Sequence, residues 1–209
     1  MRSNSRRHKI DITRLVQFQF IGARRMVTVD NTIENPITGE RMTFLRTGHD
    51  TDGQLLQIDM AVRPGGFATS EHVHPRQEER FLVKAGQLSM RLAGQEQHHA
   101  AGDQIMIPAG TPHVWWNSGK DELRVLVEFR PAGRFHEFIT TYFALAHAGK
   151  TNSRGLPTNP LQLAVTFRAY RDVIYGTTPP AAVQNVLFWV LDPIGRLLGY
   201  RADEPYPSR

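Results

Sequence analysis

His72 and His74 stand one residue apart in the stretch GFATSEHVHPRQEERFLVKAG, Gly66 to Gly86. On a strand that spacing sends both imidazoles to the same face, the arrangement a metal ion needs from two nitrogen donors. Glu79 lies five residues past His74 and cannot share that face on an unbroken strand. Pro75, Arg76 and Gln77 supply the break. A new strand over ERFLVK then brings Glu79, Phe81 and Val83 inward together and leaves Glu78 facing out. A second cluster, GDQIMIPAGTPHVWWN, begins at Gly102. Pro108 and Gly110 force a turn there, and His113 follows Pro112 in a direction that the turn fixes. Any one of these histidines taken alone also reads as an ordinary surface or core residue. Their shared frame is what favours metal ligation.

Other residues offer less. His98 and His99 are adjacent, so on a strand they face opposite ways, and they follow the hairpin-like LAGQEQ; both are expected in solvent. His8, His49, His136 and His147 have no partner spacing. Trp115 has the parity of His113 and is the better pocket candidate, whereas Trp116 should point outward. Arg91 and Arg124 lie opposite apolar faces and are expected outside.

The elements that must position these groups are mostly strands. In LLQIDMAV, Leu56, Ile58, Met60 and Val62 alternate with Gln57 and Asp59, the period of a half-buried strand. Pro64–Gly66 ends it. QLSMRL, DQIMIP and ELRVLVEF repeat the pattern, separated by glycine and proline turns, as in a sandwich or barrel. After Pro131 the period changes. Phe135, Phe138, Ile139, Tyr142, Phe143 and Ala146 form one face of an amphipathic helix, with Gly149 as its stop. Asn159–Pro160 reads as N-cap and first residue of a second helix, expected to run to about Tyr175 with Gly176 just past its end. A third, more apolar stretch, AAVQNVLFWVLDPIGRLLGY, should be interrupted or restarted at Asp192–Pro193. It is expected to pack on the barrel, the other helices or a partner subunit. Residues 1–30 fit strand or helix equally. The resulting division is an N-terminal extension (1–30), a β-barrel (31–131) and a C-terminal helical segment (132–209).

Composition narrows the function classes. The chain of 209 residues has no cysteine, which excludes disulfides, thiolate metal sites and cysteine nucleophiles. Any metal must be held by nitrogen and oxygen, and the absence fits a cytoplasmic location. Part of the net charge of +5 sits on Arg2, Arg6, Arg7 and Lys9. This is a short basic tip rather than a basic face interleaved with aromatics, so no nucleic-acid partner is expected. There is no signal-peptide pattern at the start, and no window is long and apolar enough for a membrane span.

The two clusters together resemble a known family. Gly66, five residues, His72-x-His74, four residues, Glu79, six residues and Gly86 are similar to the first motif of the cupins. Gly102, five residues, Pro108-x-Gly110, two residues, His113, three residues and Asn117 resemble the second. The fifteen residues between the motifs match the compact, mostly microbial members. The resemblance covers roughly residues 40–130 and implies a mainly β protein: a cupin-type double-stranded β-helix, or jelly-roll, barrel, here with a C-terminal helical extension, as in small single-domain monocupins. It implies His72, His74, Glu79 and His113 as ligands of one divalent transition-metal ion, be it Fe, Mn, Ni, Zn or Cu.

Four protein ligands leave positions open on an octahedral ion, the mark of a catalytic rather than a structural site. One carboxylate leaves the centre positive, suited to a chelating or anionic oxygen. The apolar lining expected around it, with Met60, Phe81, Met90 and Trp115 as the pocket candidates, suits a partly hydrophobic small molecule. The leading expectation is a metal-dependent oxidoreductase of dioxygenase type, with no general base identified. A metal-dependent isomerase, cyclase, lyase or decarboxylase that needs no O₂ is the alternative. A non-enzymatic binding or sensor barrel is the third, favoured if the metal is sealed off from any cavity. A homodimer is expected, and removal of residues 134–209 is expected to leave metal affinity nearly intact.

Overall fold

The computed structural model describes residues 31–207; the ambiguous segment 1–30 lies outside them. Two antiparallel sheets face each other. The first contains β1 (Thr32–Glu34), β2 (Glu40–Arg46), β3 (Leu56–Val62), β5 (Glu78–Ala85), β8 (Gln104–Ile107) and β10 (Leu123–Arg130), in the order β1-β2-β3-β10-β5-β8. The second contains β4 (His72–Val73), β6 (Gln87–Leu92), β7 (Gln95–Ala100), β9 (His113–Asn117) and β11 (Tyr175–Gly176), in the order β11-β4-β9-β6-β7. This is the expected mainly β jelly-roll with a helical region after it.

Alternation builds the interior. Leu56, Ile58, Met60 and Val62 of β3 are buried opposite Phe129, Val127, Val125 and Leu123 of β10, in antiparallel register. Burying side chains of this size contributes roughly 1.5–3 kcal/mol each. The second face of β3 is only partly solvated: Asp59 is partly exposed, whereas its neighbour on that face is closed off. Gln57 is fully buried and donates from Nε2 to Glu128 Oε1 at 2.8 Å. Arg130 Nη2 meets the other Glu128 oxygen at 2.8 Å. A polar residue can hold the place of an apolar one when its hydrogen bonds are met.

The turns follow from glycine. Ala93 and Gly94 both take positive φ, 49° and 80°, the two-residue hairpin conformation that matches strand twist. Two motif glycines are required by close approach. A Cβ on Gly66 would lie 2.6 Å from Val62 Cγ1 and 2.8 Å from the Thr38 carbonyl oxygen. One on Gly86, at φ 83°, would lie 2.8 Å from Leu123 Cα. The motif's Asn117 ties the same region together: its Nδ2 donates to the carbonyls of Val62, Arg63 and Asp121.

Three helices follow the strands of the barrel. α1 (Phe135–His147) lays Phe135, Phe138, Ile139 and Tyr142 on the barrel opening, as its period predicts, and Gly149 (φ 67°) follows its end. α2 (Pro160–Ala169) is capped by Asn159, whose side chain accepts from the Leu161 and Gln162 backbone N–H groups. It ends at Ala169, earlier than expected, because Tyr175 and Gly176 leave helical geometry to pair with Val73 and His72. α3 (Ala181–Leu197) runs unbroken through Pro193, contrary to the expected interruption. Tertiary contacts on both sides of the proline hold the helix in line. Asp192 bridges Arg168 of α2 and Arg196 at 3.5 and 2.8 Å. Gly195 sits so close to α2 that a Cβ would lie 2.7 Å from Val165 Cγ2.

The polar edge of α3 therefore faces the protein, with Gln184, Asp192 and Gly195 buried. Its apolar edge faces out: Val186 and Trp189 are each 67% exposed, and nothing among the described residues covers them. One apolar core runs from Ile33 in β1 through the barrel to Ile174 beyond α2.

Candidate metal centre

His72 and His113 are direct cross-strand partners of β4 and β9, and His74 follows His72 on the same face. Glu79 enters from β5 in the facing sheet, opposite Ile107 and Phe129. One ligating atom from each of His72, His74, Glu79 and His113 can be chosen so that all lie within 4.8 Å of one another. His74, Glu79 and His113 are buried, and His72 is partly exposed. Glu78, the neighbouring carboxylate, pairs on the outside with Arg80 Nε at 2.5 Å.

Backbone carbonyls orient all three rings. His72 Nδ1 is 2.8 Å from the Ser70 carbonyl, His113 Nδ1 is 3.0 Å from that of Thr111, and His74 Nδ1 is 2.9 Å from that of Val173. A carbonyl can only accept, so each Nδ1 carries a proton and each neutral ring turns an Nε2 lone pair inward. This orienting contact is the one that metal-bound histidines ordinarily make. With the rings neutral, the buried atoms turned inward, His74 Nε2, His113 Nε2 and Glu79 Oε2, meet no hydrogen-bond donor; His113 Nε2 and Glu79 Oε2 face each other at 2.8 Å, acceptor against acceptor. Buried polar atoms without partners call for an explanation, and a cation held between three nitrogens and a carboxylate oxygen supplies it. The residues fit a divalent ion.

Electrostatics agree. Burial, followed by the neighbouring His113 ring, pushes His74 down to about 3. Burial and the His113 and His74 rings hold His72 well below the usual imidazole range. His113 differs: burial opposes its charge, but the adjacent Glu79 carboxylate outweighs it and raises the ring above its ordinary value. Two neutral imidazoles are thus ready to ligate at neutral pH.

A cavity of ≈ 80 Å³ adjoins the cluster. His72, His74 and Glu79 form one part of its wall, and apolar side chains such as Ile58, Phe129, Phe138 and Phe167 form most of the rest. Of the pocket residues expected from sequence, Met60 and Trp115 line it. Phe81 and Met90 are fully buried and lie outside the lining; they pack the barrel behind it. The helical segment helps close the opening through α1, Phe167, Ile174 and Gly176.

His98 is exposed and His99 half-buried beside Asp103, a correction to the expectation of two solvated rings. Sequence reasoning missed Val173 and the two-residue strand β11. It also missed Glu40, a buried carboxyl in the cavity wall. Parity would have found it, because Glu40 alternates inward with Met42 and Phe44.

The facing sheets and their convergent histidine–glutamate set define a barrel of the cupin class. Residues 58–129 match the family model of the cupin domain, so the chain contains a cupin domain. It is 37% identical over 73 residues to quercetin 2,3-dioxygenase of Bacillus subtilis, covering 35% of this chain and 21% of that protein. It is 30% identical over 121 residues to putative germin-like protein 9-2 of Oryza sativa subsp. japonica, covering 55% of this chain and 56% of the relative. The chain thus spans about half or less of the length of these curated relatives. Among solved structures it resembles an RmlC-like cupin from Shewanella frigidimarina, at 19% identity and TM-score 0.44 over 51% of this chain and 89% of that one. No helix among the described residues is long and apolar enough to cross a membrane.

Proposed function

We propose that this protein binds one divalent transition-metal ion through His72, His74, Glu79 and His113 and uses it as an oxidoreductase, of dioxygenase type, on a small chelating organic molecule. The observation that carries the reading is the set of inward nitrogens and carboxylate oxygen that meet no donor while the rings are neutral, with every ring oriented by a backbone carbonyl. When bound, the ion would supply Lewis acidity and, where redox-active, electrons. The protein's own part is to orient the ligands, exclude water with an apolar wall and hold the substrate beside the cluster. The dioxygenase named among the relatives supports the oxidative assignment.

Cavity size shapes the substrate. An apolar cavity of about 150 Å³ takes a benzene ring, and this one has about half that volume, ≈ 80 Å³. A compact enol, hydroxy acid or oxo acid fits better than a polycyclic compound such as the quercetin in that relative's name. The test is metal analysis of protein purified without added metal, followed by O₂ uptake on a panel of small enolic and oxo acids. A metal-loaded protein that consumes no O₂ with any of them would remove the oxidative assignment.

A non-oxidative reaction at the same centre is the second reading. Glu40 favours it, because a carboxyl within the cavity can exchange protons with substrate without an oxidant. Turnover under strict anaerobiosis selects it. We further assign the protein to the cytoplasm, in keeping with its lack of cysteine. We also assign it a homodimeric state, with the exposed apolar edge of α3 as the contact; light scattering that shows a monomer, unchanged by Trp189→Ser, would refute this.

A further inference from the structure

The cavity holds one ionisable carboxyl that the metal cluster does not use. Glu40 opens β2 and is 6% exposed. In the first sheet, β3 and β10 stand between β2 and β5, so Glu40 and Glu79 enter the cavity from different stretches of its wall. Glu40 Oε2 accepts from Thr38 Oγ1 at 2.6 Å. Its other oxygen has no hydrogen bond among the described residues, and the side chain lines the cavity. Thr69, Ser70 and Tyr142 also contribute to the wall, so it carries polar groups besides the ligand cluster.

A local structural role does not account for this carboxyl. The turn before β2 is already fixed by Asn35, whose Oδ1 accepts from the Ile37 and Thr38 N–H groups. Thr38 needs only one acceptor, which a glutamine would provide without the cost of burying an acid. Burial, eased by Thr38 and reinforced by the charge of Glu79, pushes Glu40 up to about 7. Near neutral pH much of it is therefore a carboxylic acid, able to donate one hydrogen bond and accept others.

We propose that Glu40 is the specificity-determining carboxyl of the cavity: it hydrogen-bonds a hydroxyl or carbonyl oxygen on a substrate whose other end chelates the metal. The substrate class is a compact molecule that is oxygenated at both ends with a short apolar middle. This deepens the metal-centre reading and rests on it. A site built to hydrogen-bond a polar group discriminates strongly against an analogue that lacks it, because its own buried group is then left unpaired.

The test uses the full chain loaded with Co(II) and a series of hydroxamates that share one chelating head. Their short alkyl tails vary in length and end in either methyl or hydroxyl. Calorimetry on the wild type should find a tail length at which hydroxyl binds about tenfold or more tighter than methyl. Glu40→Leu should erase that preference and leave methyl-tailed affinity within about threefold, and Glu40→Gln should keep part of it. The infrared band of a protonated carboxyl, absent in Glu40→Gln, should shift with the hydroxyl-tailed ligand and not with its methyl partner. A purely structural role would not move that band. A preference that survives Glu40→Leu, or no preference at any tail length, overturns the proposal while cobalt uptake keeps the metal centre. Folded protein that takes up no cobalt overturns the metal-centre reading and this proposal with it.

Discussion

His113 Nε2 lies 2.8 Å from Glu79 Oε2, while the Nδ1 of the same ring is 3.0 Å from the Thr111 carbonyl. With Nδ1–H directed to that carbonyl, a neutral ring would set a lone pair against a carboxylate. Without metal, the pair is relieved by one more proton, which is why Glu79 raises His113. With metal, the cation takes that proton's place.

Metal uptake should therefore release a proton. His113 titrates above its ordinary 6.5, so below that folded value each ion bound displaces about one proton and affinity should fall about tenfold per pH unit. Calorimetry in buffers of different ionisation enthalpy measures the release. A pH-independent affinity between pH 5 and about 7 would contradict it.

Ligand assignment has a matched control in Glu78 and Glu79. Glu79→Ala or His74→Ala should weaken metal binding at least about 100-fold, about 2.7 kcal/mol. Glu78→Ala, which loses only the outer contact to Arg80, should stay within about twofold. Competition against a chromophoric chelator reads all three.

The C-terminal segment touches the site, which bears on the expectation that removing residues 134–209 leaves metal affinity nearly intact. The carbonyl orienting His74 belongs to Val173, and β11 pairs with β4. Truncation after Tyr170 should lower metal affinity about 10–100-fold, the usual effect of losing an orienting contact. Equilibrium dialysis of the truncated protein, with its strand content checked by circular dichroism, provides the measurement. Wild-type affinity would show that the Val173 contact is idle.

Glu40 should leave its mark on stability. Its carboxyl titrates at about 7 in the fold against 4.5 for the ordinary group. Between those values the folded chain holds a proton that the unfolded chain has lost, so stability falls as pH rises from 4.5 and levels off above 7. The full span is of the order of 3 kcal/mol. Glu40→Gln should remove this contribution, so its gain over the wild type grows across that window. Urea unfolding at pH 5 and pH 8 tests it, and equal differences at both would refute it.

The clustering of His72, His74, Glu79 and His113 was legible because their spacing, turn residues and parity are local: two histidines on one strand, a proline break, a glutamate in phase with Phe81 and Val83. The face of α1 and the Asn159 cap were legible for the same reason. Val173 was not, because its part is played by a backbone oxygen that any residue supplies, 99 residues from His74. β11 was hidden because two residues carry no period. The continuity of α3 depends on Arg168 and Gly195 contacts that outweigh the local cost of Pro193. Phe81 and Met90 had the parity of pocket residues, but inward in a filled barrel means core as often as cavity.

The hydrogen bond from His74 to Val173 also orders events in time. His72 and His113 each lean on a carbonyl two residues upstream, so the strands that carry them bring their own supports. His74 waits for a residue made long after it. As the chain leaves the ribosome, synthesised from its N-terminus, an early barrel can present two settled imidazoles and one still free to turn. Full affinity arrives only when the C-terminal third docks, which makes a tightly held ion the signature of a finished molecule.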